Sequence, residues 1–481
     1  MRLLHTWATP AAIALAIVGS SPADEAAPSD RSRAGRPRMT MLEPAAAEEP
    51  ATRNPGVPGR RPKRPAARGR PAGGDGQAAR GPAGRPGVPV ADGPRPQPRP
   101  VGEAVDAGIA WLVAAQAADG GWGAGSALPQ PGADPRATPS DPATTAFAAG
   151  ALLRAGHTPL EGDRAAEVRR ATELLCSVVE AADRQGPKIT DHATQIQVKL
   201  GQLVDTAATA RYLACVLPQV PPEHELHPRI SAALDRCVSK LQAGQQPDGS
   251  WGLTGGWAPV AQSALACSAL ELAQAVGRKP DGAALEKARG YLKRNVDSAT
   301  GRVEARAAAG VPLYAFAGAQ RASAAEARAG HELIAQAKAD DTVGANAVPN
   351  EQTLRGIGVP PAAARSLAAA ATAIERLESR IGDESLLRGF GNNGGEEFLS
   401  FCLISEALAI TNAAAGDEWN RAMEDRLAAA QNADGSWSGH HCITSRAFCT
   451  AAVVQCLTVH LDSKLLGDVA RQAAEQAVER R

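Results

Sequence analysis

From Val101 onward, large apolar residues return every three or four positions. Val101, Val105, Ile109, Leu112 and Val113 make one stripe, the pattern of a helix with a single buried face. The stripe stops at Gln116-Ala-Ala-Asp-Gly-Gly-Trp122, and a Pro- and Gly-rich stretch follows. Ser140-Asp-Pro-Ala-Thr-Thr-Ala-Phe147 then opens a second helix, with a capping residue and a proline in its first turn. This one, through Leu153, is apolar almost all round, as a helix buried on every side must be.

The alternation continues to the C-terminus. Stripes through Val168, Leu175 and Val179, through Ile230, Leu234, Val238 and Leu241, and through Leu285 to Val296 are followed by all-apolar helices near 205–217, 260–275 and 311–322. Residues 326–361 break the rhythm and are expected to be an insertion with one short helix. Leu367, Ile374, Leu377 and Ile381 resume the stripe, with Phe398–Ile410 as partner. Trp419, Met423 and Leu427 form the last stripe, with 445–459 as its partner, and 463–481 reads as a polar closing helix. Six helical hairpins result. Helix pairs in series either stack into an open solenoid or close into a ring. A one-faced helix alternating with a fully apolar one favours the ring, because an open solenoid leaves one face of each inner helix wet. The expected fold is an all-α, six-hairpin α/α toroid over 101–481.

One turn recurs where striped helices end. Gln-x-x-Asp-Gly-x-Trp finishes at Trp122, Trp251 and Trp437. Glycine there can adopt the left-handed conformation that ends a helix, and Asp suits the turn before it. This turn resembles the Gln-Trp repeat of the terpenoid cyclase and protein prenyltransferase superfamily, the prenyltransferase and squalene oxidase repeat proteins. The fullest copy is Gly108-Ile-Ala-Trp111-Leu112 through Gln116 to Trp122; the other two carry Lys240 and Arg426 in place of the aromatic. The resemblance spans roughly 101–465 and implies the toroid.

The chemistries implied by that resemblance are matched unevenly. Squalene-type cyclases use Asp-x-Asp-Asp; here the nearest string is Lys338-Ala-Asp340-Asp341, with lysine at the first acid. Their cavities are lined with aromatics, whereas only 3% of this chain is aromatic. Prenyltransferases of this fold hold zinc through Asp-x-Cys and a later His. The nearest match is His440-His-Cys442; on an extended backbone His440 and Cys442 would share a metal while His441 faces away. Glu396 and Glu397, opening the preceding inner helix, are the further ligand candidates, and His460 lies too far along the chain. A metal-free alternative makes Cys442 a nucleophile activated by a helix N-terminus, with His441 as base. The Cys-x-Glu-Gln string of thioester relatives is absent. The simplest reading is that Gly439–Cys442 caps the last inner helix. Asp141, Asp205, Asp191 and His192 read as caps and surface groups. In a ring, the inner-helix N-termini meet at one mouth, so Glu396, Glu397, His440, His441, Cys442, Asp141 and Asp205 would rim it.

Composition adds the flanking segment. Net charge is zero, but residues 51–100 carry about +9 and are crowded with Pro and Gly. That stretch, the core of a linker over 24–100, is expected to be a disordered spacer or a basic tether to an anionic surface, with no specific nucleic acid binding. Arg2, the apolar run 11–18 and Ser21-Pro-Ala23 read as a secretory signal over 1–23, so export to the periplasm, cell envelope or medium is expected. The eight cysteines sit mostly in Ala-rich runs and read as buried free thiols. The expectation is an exported, non-catalytic binding or scaffold toroid with a lipid or protein partner. The alternative is an enzyme acting on an isoprenoid or lipid, with zinc at His440 and Cys442.

Overall fold

The computed structural model describes residues 99–126, 135–252, 256, 258–297, 300–391, 393–412 and 415–479. The expected signal and residues 51–98 of the basic segment lie outside them. Helix α1 (Val101–Ala115) pairs with α2 (Pro142–Arg154), and α3 (Ala165–Ala181) with α5 (Val204–Val216), the short α4 (Gln195–Leu200) lying between them. Next come α6 (Leu226–Gly244) with α7 (Pro259–Ala275), and α8 (Gly282–Lys293) with α9 (Pro312–Ala339). After the short α10 (Glu351–Gly356), α11 (Pro361–Glu378) and the short α12 (Glu384–Leu387) lead to α13 (Gly395–Thr411). The chain ends with α14 (Ala415–Ala429), α15 (Arg446–Leu457) and α16 (Ser463–Glu479). Among the described residues there is no strand, only two isolated bridges.

The two kinds of helix separate as their patterns require. Helix α1 buries Ala104, Gly108, Ile109, Leu112 and Ala115, one face only. Helix α13 buries every residue from Gly395 to Leu408, and α7 every residue from Val260 to Ala273. The buried set packs in series: α2 on α5, α5 on α7, α7 on α9, α9 on α13, α13 on α15, and α15 on α2. This is an all-helical, α/α solenoid-like architecture. The stretch expected to be an insertion begins as helix: α9 runs on to Ala339, because no Gly-Pro break interrupts the Ala-rich run and Ala327, Gly330, Ile334 and Ala337 keep a buried face. Helix α16 is amphipathic, laying Leu466, Val469, Ala470 and Ala473 onto α7, α9 and α13.

Polar side chains fill the space between the buried helices. Glu406 of α13 receives Arg154 of α2 at 3.0 Å, Arg211 of α5 at 2.6 Å and Arg321 of α9 at 3.3 Å. Arg321 also bonds Glu271 of α7 at 2.6 Å, and Glu271 holds Arg289 of α8 at 2.8 Å. Arg154 Nη1 donates to the Gln455 carbonyl of α15. Burial raises the Glu406 carboxyl, but Arg211, Arg154 and Arg321 reverse this and hold it well below the usual range. The cavity beside Arg154, Arg211, Tyr212 and Gln455 measures about 30 Å³, room for a water or two.

The three Gln…Trp turns are one device built three times. Trp122, Trp251 and Trp437 donate Nε1–H to the carbonyls of Leu112, Leu241 and Leu427, at 2.7–2.8 Å. Their backbone N–H groups donate to Thr145, Ser263 and Thr450 of the following buried helix. Gln116, Gln245 and Gln431 each donate twice: to the glycine carbonyl of their own turn, and to a carbonyl of another outer helix, namely Glu167, Ala284 and Ala104. The third turn therefore binds α14 to α1, at the other end of the chain.

Gly435 in that turn has φ +91°, and a Cβ there would lie 2.7 Å from the Ala107 carbonyl oxygen. Gly156 has φ +97° with open space around it. Gly156→Ala is expected to cost about 1–3 kcal/mol from backbone strain alone, and Gly435→Ala distinctly more. Equal losses in urea denaturation would contradict the close docking of the third turn on α1.

Candidate functional site

A glycine-rich loop leads from α12 into α13, and Glu397 in the first turn of α13 reaches back over it. Its carboxylate accepts from the backbone N–H of Gly394 and of Phe390, both at 2.9 Å. The Tyr314 hydroxyl, in the first turn of α9, donates to Glu397 Oε1 at 2.8 Å. His441 Nε2 lies 3.3 Å from Glu397 Oε2. Glycine is required where this loop closes. A Cβ on Gly389 would come within 2.5 Å of Glu397 Oε1, and one on Gly394 within 2.7 Å of the His441 ring.

The segment before α15 is strapped to this loop. Gly395 N–H donates to the Ile443 carbonyl, His440 N–H to the Asn393 carbonyl, and Ile443 N–H to Glu396 Oε2 at 3.3 Å. From the other side, Gln195 of α4 accepts from the N–H groups of Thr444 and Ser445. Ser445 caps α15, its hydroxyl accepting from Phe448 N–H, so the cap lies beyond Gly439–Cys442. These ties bring Glu396, His441 and Cys442 together, with one ligand atom of each within 4.8 Å of the others.

The expected alternation over His440–Cys442 does not form. Cys442 has φ +51°, which turns the backbone instead of extending it. His441 is consequently the imidazole beside Glu396 and Cys442, while His440 is exposed and outside that group. Glu397 stands behind His441, not beside the thiol. Tyr314 and Lys199 went unnoticed in the sequence. Tyr314 had a signal, since it opens an inner helix as Glu396 and Glu397 do; Lys199 had none.

Burial dominates the electrostatics of the cluster. Glu396 is 1% exposed, and its Oε1 has no hydrogen-bond partner. Burial, with the charge of Glu397, pushes the Glu396 carboxyl up to about 7. Burial and Glu396 push the Cys442 thiol up to about 12, opposed by Lys199. That is the reverse of the lowered thiol needed for a metal-free nucleophile. Burial and Glu397 also raise Tyr314, which stays protonated and donates. A carboxylate, an imidazole and a thiol suit a zinc-class divalent ion, whose charge favours the deprotonated acid and thiol.

Asp141 and Asp205, also expected at the rim, do structural work. Asp141 caps α2, accepting from Thr144 N–H, and Asp205 accepts from Ala143 N–H and the Gln197 amide. Asp191 and His192 are exposed, and all eight cysteines are free thiols.

No family model matches the chain, and no curated protein matches it. Among solved structures it is similar to the apo type II terpene cyclase MstE from Scytonema, at 14% identity and a TM-score of 0.28, over 76% of this chain and 99% of that one. A likeness at that level carries no weight for fold or activity.

Burial and the neighbouring Asp141 charge push Asp205 up to about 7. The folded chain keeps this proton where the unfolded carboxyl, near pH 4, has lost it. Its contribution therefore turns increasingly unfavourable as pH rises from about 4 to about 7, then levels off. Asp205→Asn should flatten the decline in melting temperature between pH 4.5 and pH 7. An unchanged pH profile would contradict the assignment.

Proposed function

We propose that the six hairpins close into an α/α toroid carrying a zinc-class metal centre at the mouth where the inner helices begin, and that the protein acts there as an enzyme. Closure is supported by α15 lying on α2, by the Phe147–Phe448 ring contact at 4.7 Å and by the Gln431–Ala104 bond. The observation that carries the metal centre is the convergence of Glu396, His441 and Cys442 within 4.8 Å, with one carboxylate oxygen buried and unbonded.

In this reading Glu396, His441 and Cys442 are the protein ligands. A bound zinc ion would supply Lewis acidity to a substrate group at a fourth position. The chain's own residues do the rest. Glu397 holds the His441 ring, and the Gly389–Gly395 loop keeps both in place. Substrate is assigned to the mouth because the three ligands converge there; the cavity among the inner arginines, about 30 Å³, is far below the roughly 300 Å³ of a small-molecule pocket. Phe390, 56% exposed and packed at 5.1 Å on His441, offers an apolar rest for the lipid or isoprenoid class of ligand. Export and an anionic-surface role for residues 51–100 belong to the proposal on sequence signals alone.

The filled centre favours a second reading, a non-catalytic scaffold in which the metal only fastens the loop to α13. The two readings differ in whether the ion has an open position. The full chain, dialysed against Zn²⁺, should retain one equivalent. Glu396→Ala, His441→Ala and Cys442→Ala should lose it, whereas His440→Ala keeps it. With Co²⁺ substituted, added azide should change the visible spectrum. Absence of stoichiometric metal would overturn the centre, and a spectrum indifferent to azide would leave the scaffold reading.

A further inference from the structure

We propose that Glu397 is the positioning carboxylate of the His441 ligand, fixing the imidazole so that Nε2–H points to Glu397 and Nδ1 faces the metal. The inference rests on the metal reading above and assigns a role to residues outside its ligand set.

The geometry is built for that task. Glu397 is buried and cannot turn away: two backbone N–H groups and the Tyr314 hydroxyl fix both of its oxygens. Oε2, shared between Gly394 N–H and His441 Nε2, faces the imidazole. Gly394 packs against Cε1 and Nδ1 of the ring closely enough that a methyl group would collide with them, so the ring is restrained on that side as well. Phe390, whose own N–H donates to Glu397, lies against the same imidazole. A carboxylate behind a ligating histidine selects one tautomer, limits ring rotation and raises the basicity of the other nitrogen. A helix-capping glutamate needs only the backbone donors; the contacts to His441 and Tyr314 are additional to that duty.

The consequence is a division of labour between adjacent acids. Glu396, with its unbonded oxygen, is the ligand; Glu397, with both oxygens engaged, is the support. Tyr314 brings α9 into the arrangement and so ties a third buried helix to the histidine.

The test uses the full chain, with Zn²⁺ affinity from competition against a chromophoric chelator and ¹⁵N spectra of the histidines in the zinc-loaded protein. Wild type should show His441 ligated through Nδ1 and protonated at Nε2. Glu397→Gln should weaken zinc binding about 10–100-fold. Tyr314→Phe, which leaves the carboxylate and the cap in place, should weaken it by less and keep the same tautomer. Ligation through Nε2 would overturn the proposal even if Glu397→Gln fails to fold. So would a folded Glu397→Gln protein binding zinc within twofold of wild type, while the metal centre itself would stand. A wild type that binds no Zn²⁺ would overturn both.

Discussion

The double donation of one glutamine amide is the constraint on which this molecule depends. In each Gln…Trp turn the amide closes its own turn and grips a second outer helix, while the tryptophan ties the turn to the helix behind it and to the buried helix ahead. These turns join α1 to α3, α6 to α8 and α14 to α1. The third copy matters most. Gln431 grips Ala104, and Trp437 packs where Gly108 leaves no side chain, joining the last hairpin to the first. From that anchored turn the chain has only eight residues before α15 begins, and His441 and Cys442 are among them. The site is positioned because the turn is.

Between the inner helices, charge replaces a hollow. Arg154, Arg211, Arg321, Arg289, Glu271 and Glu406 are nearly inaccessible to solvent. Such a network adds little net stability over well-packed hydrophobes, but losing one partner leaves buried charge at a cost of about 3–5 kcal/mol. It therefore specifies register: α2, α5, α7, α9 and α13 fit together in the one arrangement that pairs every member. The same fact bears on chemistry. The space among these charged side chains is filled, leaving a cavity of only about 30 Å³ beside Arg154 and Arg211.

Much of the architecture was legible in the sequence because it rests on repeated pattern. The 3.6-residue stripes, the all-apolar partners and the Gln…Trp turns each announced themselves several times. The extent of α9 was not legible, since a polar stretch that keeps one small-residue face reads as a break. Nor was the central network: a lone Arg or Glu within an Ala-rich run carries no sign of the partner it will meet across the bundle. At the site, the sequence pointed to His440 with Cys442 and turned His441 away, whereas His441 is the imidazole grouped with Glu396 and Cys442. Alternation along His440-His441-Cys442 assumes an extended chain, and the positive φ of Cys442 belongs to the loop's ties to α13 and α4, which are tertiary.

Three turns join pairs of outer helices, an ionic core sets the register, and a glycine loop folded over Glu397 presents Glu396, His441 and Cys442 to one point. The decisive measurement is zinc K-edge X-ray absorption on the zinc-loaded full chain. One sulfur at about 2.3 Å with two or three nitrogen or oxygen neighbours at about 2.0–2.2 Å is the predicted shell. A shell without sulfur, or with two or more sulfurs, would contradict a centre built from these three side chains.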